Sequence, residues 1–224
     1  MKIHKENNAT TGRFISFEGT EGVGKTTAIK ELGDRLELAG IKHIKTREPG
    51  GTPFYEKLRD ILINPDTDIN DDTELLLLFA GRCDHVQRVI IPALESGTWV
   101  ICDRFVDSSI AYQGYGRAFG NEAILNKINM LIEQFISHKP ELTLWLDMDV
   151  EEGMKRANKR SSLDRFEQQK IDFFLRIHGG FKILAEQNQQ RIKRVDANGS
   201  MDEVNSRIWT TVQECFHIEN KNPT

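Results

Sequence analysis

The chain has 224 residues, 30 of them Lys or Arg and 34 Asp or Glu, for a formal net charge of −4. That length suits one sizeable core and is short for two independent enzyme domains. The negative balance excludes an overall positive field for nucleic acid or an anionic membrane, so anionic ligands must be caught locally.

With 38% hydrophobic residues, a mean hydropathy of −0.47 and no apolar run of membrane-spanning length, the composition predicts a soluble, cytoplasmic protein without a membrane partner. Residues 1–12 read as a flexible polar leader that lacks the apolar segment of a secretory signal. A strand is predicted over 14–18, then a helix in which Ile29, Leu32, Leu36 and Ala39 recur at helical spacing until Gly40 ends it. The next strand, 43–46, closes a βαβ unit. A second helix starts near Pro53 with Leu58, Ile61 and Leu62 on its inner face, and a third opens after Asp71 and Asp72 and stops before Pro92.

Further strands are expected over 98–102, 143–147 and 192–195, segments rich in Val, Ile, Thr and aromatic residues. Later helices are expected over 121–137, 151–160, 166–188 and 201–217; the first carries Ile124, Leu125, Ile128, Leu131, Ile132 and Phe135 along one stripe. Such stripes are core or a dimer face. The alternation predicts an α/β fold, a three-layer sandwich with a five-stranded parallel sheet flanked by helices, as one domain over 1–224. Cys83, Cys102 and Cys215 are too few and scattered for a disulfide framework or a zinc site. None of the six histidines forms an HxxxH pair, and Asp147, in DMD at 147–149, reads as a strand end with a solvated carboxylate.

Chemistry enters with GTEGVGKT at 19–26, which fits G-x-x-x-x-G-K-[ST] and lies between a predicted strand and a predicted helix. In such a loop the glycines let successive backbone N–H groups and a helix N-terminus converge on one polyphosphate. Gly19, Gly22, Gly24, Lys25, Thr26 and Thr27 are therefore the candidate ATP-binding residues, with Lys25 for the outer phosphates and the Thr26 hydroxyl for Mg²⁺. The strand ending in Asp103 and Arg104 puts a carboxylate and a guanidinium at the sheet edge where open α/β folds bind ligands. Asp103 would orient Mg²⁺, partly through water, and Arg104 would grip an acceptor or transferring phosphate. A guanine-reading Asn-Lys-x-Asp is lacking, since NKIN at 126–129 has no aspartate and falls within a striped helix.

Five segments in order, FEGTEGVGKTT, TREPGGT at 46–52, EKLRDIL at 56–62, DRFVDSSIAYQG at 103–114 and LDRFEQ at 163–168, resemble bacterial thymidylate kinases across nearly the whole chain. The resemblance implies a P-loop kinase with a helical lid at about 153–166 that transfers the γ-phosphoryl group of ATP to dTMP, with Mg²⁺, usually as a homodimer. It further implies that Glu21 faces the acceptor's sugar, that Glu48 lies near the acceptor phosphate and the metal, and that Arg59 holds that phosphate. Arg82 would meet a thymine carbonyl, Phe79 would stack on the base, and Ser109 and Gln113 would contact the base edge. Gly22 stands where the eukaryotic type has an arginine, so the charge would come from the lid, where Arg156 and Arg160 are four apart and share a helical face. The alternatives are another P-loop kinase of a small phosphorylated acceptor and a nucleotide-gated ATPase or binding protein.

Overall fold

Alternation of side chains along the strands decides the architecture. In β1 (Phe14–Glu18), Ile15 and Phe17 enter one apolar layer and Phe14 enters another. A strand buried on both faces needs a helical layer on each. In the computed structural model, which describes residues 12–157, 165–166 and 169–218, the elements that follow are α1 (Lys25–Leu38), β2 (His43–Arg47), α2 (Pro53–Ile63), α3 (Asp71–His85), α4 (Ile91–Glu95), β3 (Trp99–Asp103), α5 (Val106–Ser109), α6 (Glu122–Phe135), β4 (Leu142–Asp147), α7 (Val150–Ala157), α8 (Ile171–Gln187), β5 (Ile192–Asp196) and α9 (Met201–Phe216). The five strands form a parallel sheet in the order β2-β3-β1-β4-β5.

One face of the sheet carries Ile15, Phe17, Ile101 and Leu144 against Leu32 and Leu36 of α1 and Ile208 and Val212 of α9. The opposite face carries Phe14, Val100 and Cys102 against Leu75 and Phe79 of α3 and Ile128, Leu131 and Ile132 of α6, while Trp145 packs under α8 through Phe181. Because β1 is central and its neighbours are β3 and β4, the loops leaving β1 and β3 lie side by side at the C-terminal edge, which fixes the position of the site. Among the described residues no helix is long and apolar enough to cross a membrane.

Several expectations need correction. The third helix does not stop before Pro92: α3 runs on through a wide π-type turn, Val86–Ile90, into α4, which contains Pro92 in its first turn. The wide turn takes up the change in register, and a proline so placed gives up a donor that the first turn does not use. Ile61 is not on the inner face of α2 but 42% exposed, and Phe135, at the end of the α6 stripe, is 57% exposed. Asp147 is not solvated; it accepts from Nε2 of His178 and Nε of Arg194, both at 2.5 Å. The helix expected from 166 begins at Ile171, and α7 is described to Ala157. The leader, apart from Gly12, and much of the expected lid, 158–164, lie outside the described residues.

A polar seam divides the two clusters on the α6 and α8 side of the sheet. The Ser16 and Thr143 hydroxyls are 2.8 Å apart, the Thr143 hydroxyl donates to Asp107 at 3.2 Å, and Arg191 donates from both terminal nitrogens to the same carboxylate at 2.7 Å. Beside them Glu18, with no exposed surface, accepts from the Phe105 N–H at 2.8 Å and the Ser108 hydroxyl at 2.5 Å. Two buried carboxyl groups thus fasten α5 to the sheet. Burial, and then the charge of Asp107, push the Glu18 pKa up from 4.5 to about 7. Folded protein therefore keeps a proton that the unfolded chain releases, and stability should fall as pH rises from 4.5 to about 7. At roughly 1.4 kcal/mol per unit, the loss is about 3 kcal/mol. Glu18→Gln should remove this dependence: its melting temperature relative to the parent should climb through that window and level off above it, whereas parallel curves would contradict the assignment.

Candidate active site

The loop between β1 and α1 turns on Gly19, Gly22 and Gly24, all at positive φ (142°, 75° and 93°). It delivers Lys25 as the first residue of α1, so the helix N-terminus and the lysine face the same space. Lys25 is buried, and its Nζ donates to the carbonyls of Gly19 at 3.2 Å and Thr20 at 3.1 Å. Burial first, then the nearby Arg104 charge, pull its pKa below the ordinary ammonium value. An incoming phosphate would reverse that shift. The loop borders a cavity of about 220 Å³, to which Glu21, Gly22, Gly24, Lys25 and Thr26 contribute lining; Gly19 and Thr27 do not. Gly22 is obligatory for packing as well as for φ, because a Cβ there would lie 1.9 Å from the Gly153 carbonyl oxygen, and one on Gly153 would lie 2.6 Å from that of Glu21. The loop and α7 meet backbone to backbone.

Asp103 and Arg104 line the same cavity. Asp103 Oδ1 is buried without a hydrogen-bond partner, an arrangement suited to a cation or its water. Arg104 takes a left-handed backbone, φ 67°, and spreads its guanidinium over four groups. It donates to the Gly19 carbonyl at 3.0 Å, the Ser108 hydroxyl at 3.3 Å and Glu21 Oε1 at 2.6 Å, and lies 4.8 Å from the centre of the Tyr112 ring. The Tyr112 hydroxyl donates to the same Glu21 oxygen at 2.8 Å. Burial opposes the arginine's charge, but the Glu21 carboxylate, then Tyr112 and Asp103, outweigh it, and its pKa is raised. Burial likewise pushes the Tyr112 hydroxyl pKa well up, so it is a donor at neutral pH.

The far part of the cavity is built on one face of α3, where Leu78 and Arg82 are a turn apart and line it together with Arg59, Ser109, Gln113 and Phe166. Arg82 is 2% exposed. It donates from Nε to Glu48 at 2.5 Å, from Nη1 to Ser109 Oγ at 3.1 Å and from Nη2 to the Phe105 carbonyl at 3.3 Å. Glu48, ahead of a cis Glu48–Pro49 bond, is shared with the buried His85, whose Nδ1 lies 2.9 Å from it. Arg59 donates to the Pro49 carbonyl at 2.7 Å. Phe79 is not at the cavity: it is 3% exposed in the core, with its ring 4.9 Å behind the Arg82 guanidinium, and its neighbour Leu78 takes the lining position.

Arg156 points outward from α7, paired with Glu152 four residues back at 3.1 Å, and Arg160 falls outside the described residues. Sequence reasoning missed Tyr112 and Phe166 as lining residues and Glu18 and His85 as their supports, and it gave Phe79 the place that Leu78 takes. The aromatic pair was visible within DRFVDSSIAYQG and LDRFEQ, but nothing in their spacing told that Tyr112 and Phe166, with ring centres 6.3 Å apart, meet across the site.

Comparison with known proteins bears on this geometry. The family model described as thymidylate kinase matches residues 17–208. The chain is 58% identical over 203 residues to the thymidylate kinase of Psychrobacter sp. (strain PRwf-1), covering 91% of this chain and 98% of that one. It is 49% identical over 193 residues to that of Acinetobacter baumannii (strain SDF), covering 85% and 95%. The crystal structure of thymidylate kinase from Ehrlichia chaffeensis superposes with a TM-score of 0.73 at 31% identity, over 91% of this chain and 99% of that one. With a phosphate loop, an Asp-Arg pair and a second polar cavity wall in one crevice, and with relatives matched over nearly their full length, the chain belongs to the thymidylate kinase family.

Proposed function

We propose that the protein is a nucleoside monophosphate kinase that phosphorylates dTMP to dTDP with ATP. The observation that carries this reading is the single crevice in which the phosphate loop, Asp103-Arg104 and the α3 wall of Leu78 and Arg82 face one another. ATP phosphates would occupy the loop over Lys25, and the acceptor would lie against Arg59, Arg82, Ser109 and Gln113, with Leu78 and Phe166 as its apolar contacts. Mg²⁺ fits beside Thr26 and the partnerless Asp103 oxygen, and when bound it supplies charge neutralisation at the β- and γ-phosphates.

The acceptor phosphate is already largely dianionic at neutral pH, its second pKa being about 6, so no strong base is needed. One of its oxygens bonds to the γ-phosphorus as the bond to the β,γ-bridging oxygen breaks, and ADP leaves with the electron pair. The protein's work is alignment and neutralisation of two anions by Lys25 and Arg104, with Arg156 and Arg160 brought in as cis arginine fingers when the lid closes. Glu21 supports this by keeping Arg104 extended across the loop. The exposed apolar side chains of Leu76 on α3 and Met130 and Phe135 on α6 support a homodimer.

A coupled assay across dTMP, dUMP, dCMP, AMP and GMP tests the reading, with dTMP expected to be preferred; acceptor-independent ATP hydrolysis at the same rate would overturn it. Lys25→Ala should lower kcat about 10²–10³-fold with an unchanged thermal melt, and a fully active variant would remove the lysine from the mechanism. Arg82→Lys keeps a charge beside Glu48 but loses the planar fork. It should raise the KM for dTMP while leaving that for ATP as it was, and an equal rise in both would place Arg82 outside acceptor recognition.

A further inference from the structure

Glu74 lies on α3 one turn before Leu78 and two before Arg82, with no exposed surface. A carboxylate so deep must be met by donors, and two separate segments supply them, Gln113 with Arg117 from the stretch after α5 and Arg165 from the segment before α8. Its Oε1 accepts from Nε2 of Gln113 at 2.8 Å, and its Oε2 accepts from Nη1 of Arg117 at 3.0 Å and from Nη2 of Arg165. Arg165 also donates from Nε to the Leu62 carbonyl at 2.9 Å and from its backbone N–H to that of Ile63 at 3.0 Å. The residue that binds Gln113 is thus itself held from two sides by guanidinium groups.

We infer that Glu74 is a specificity-determining positioning residue: by holding the amide nitrogen of Gln113, it fixes that side chain's carbonyl oxygen as the group offered to the acceptor base. The inference rests on the acceptor reading above. A carboxylate offers only lone pairs, so turning the Gln113 amide over would set two oxygens against each other at 2.8 Å. Gln113 lines the cavity together with Arg82, which can only donate and whose Nη1 meets Ser109 Oγ four residues before Gln113 at 3.1 Å. A fixed donor beside a fixed acceptor matches a C=O next to a ring N–H, the pattern of thymine and uracil. Cytosine presents an NH₂ next to a bare ring nitrogen, so donor would meet donor and lone pair would meet lone pair.

The test compares kcat/KM for dTMP and dCMP in the parent and in Glu74→Gln, whose amide can bond either end of Gln113. The dTMP/dCMP ratio should fall about tenfold or more through the KM for dTMP, with the KM for ATP unchanged. Arg117→Gln is the control, since it withdraws a charge from the same carboxylate but spares the bond to Gln113; it should lower the melting temperature and leave the ratio alone. Should Glu74→Gln not accumulate as folded protein, Glu74→Asp retains the charge, draws the carboxylate back by one methylene, and should lower the ratio likewise. An unchanged ratio in the folded Glu74 variant, or an equal fall in Arg117→Gln, overturns the inference. A parent enzyme that does not prefer dTMP to dCMP overturns the acceptor reading itself, and this inference with it.

Discussion

The contact between Arg104 and Glu21 is the constraint on which the site depends. A guanidinium at the end of β3 crosses to the loop after β1, and its Nη2 lies 2.6 Å from the Glu21 carboxylate. Without that carboxylate a nearly buried charge would sit beside Lys25 with its largest offsetting charge removed, and the two cations would repel one another in a medium that screens poorly. Without the arginine, a carboxylate would stand in a loop built for phosphate. Each group makes the other tolerable, and Tyr112, donating to the same oxygen, fixes the geometry. The strand order supplies the opportunity, since β1 and β3 are hydrogen-bonded neighbours with Phe17 in register with Asp103.

Support for that contact runs inward through carboxyl groups that touch no ligand space. Glu18 takes the Phe105 N–H and the Ser108 hydroxyl, and Ser108 in turn accepts from Arg104. Asp107, one residue earlier, is held bidentately by Arg191. This seam costs desolvation that an apolar core would avoid, and it gives in exchange one fixed placement for the start of α5. The same logic recurs in the other wall, where Glu48 is shared between Arg82 and His85.

Much of this was legible in the sequence, and the failures have physical reasons. The five strands and the phosphate loop were readable because short apolar runs, a glycine pattern and a following helix are local signals. The choice between Leu78 and Phe79 was not local: adjacent residues on a helix point about 100° apart, and which one faced the cavity depended on where α3 met the sheet. Phe79 entered the core under Phe14 and Phe105, which left the smaller side chain at the ligand wall. Ile61 misled for the same reason, since α2 buries only Tyr55, Leu58 and Leu62. Pro92 misled because a wide turn ending two residues before it made room that regular helical spacing would not have allowed. The partners of Glu18 and Asp107 are 36 to 90 residues away, and no spacing rule reaches that far.

The backbone contact between Gly22 and Gly153 limits which side chains this loop can ever carry. A loop with an arginine at position 22 needs room where α7 now rests, so the helix would have to withdraw before such a side chain could enter. Placing a cationic side chain in the loop is therefore not a one-step exchange in this scaffold. A side chain at either glycine sets two backbones against each other, so only a joint displacement of loop and helix makes room for one.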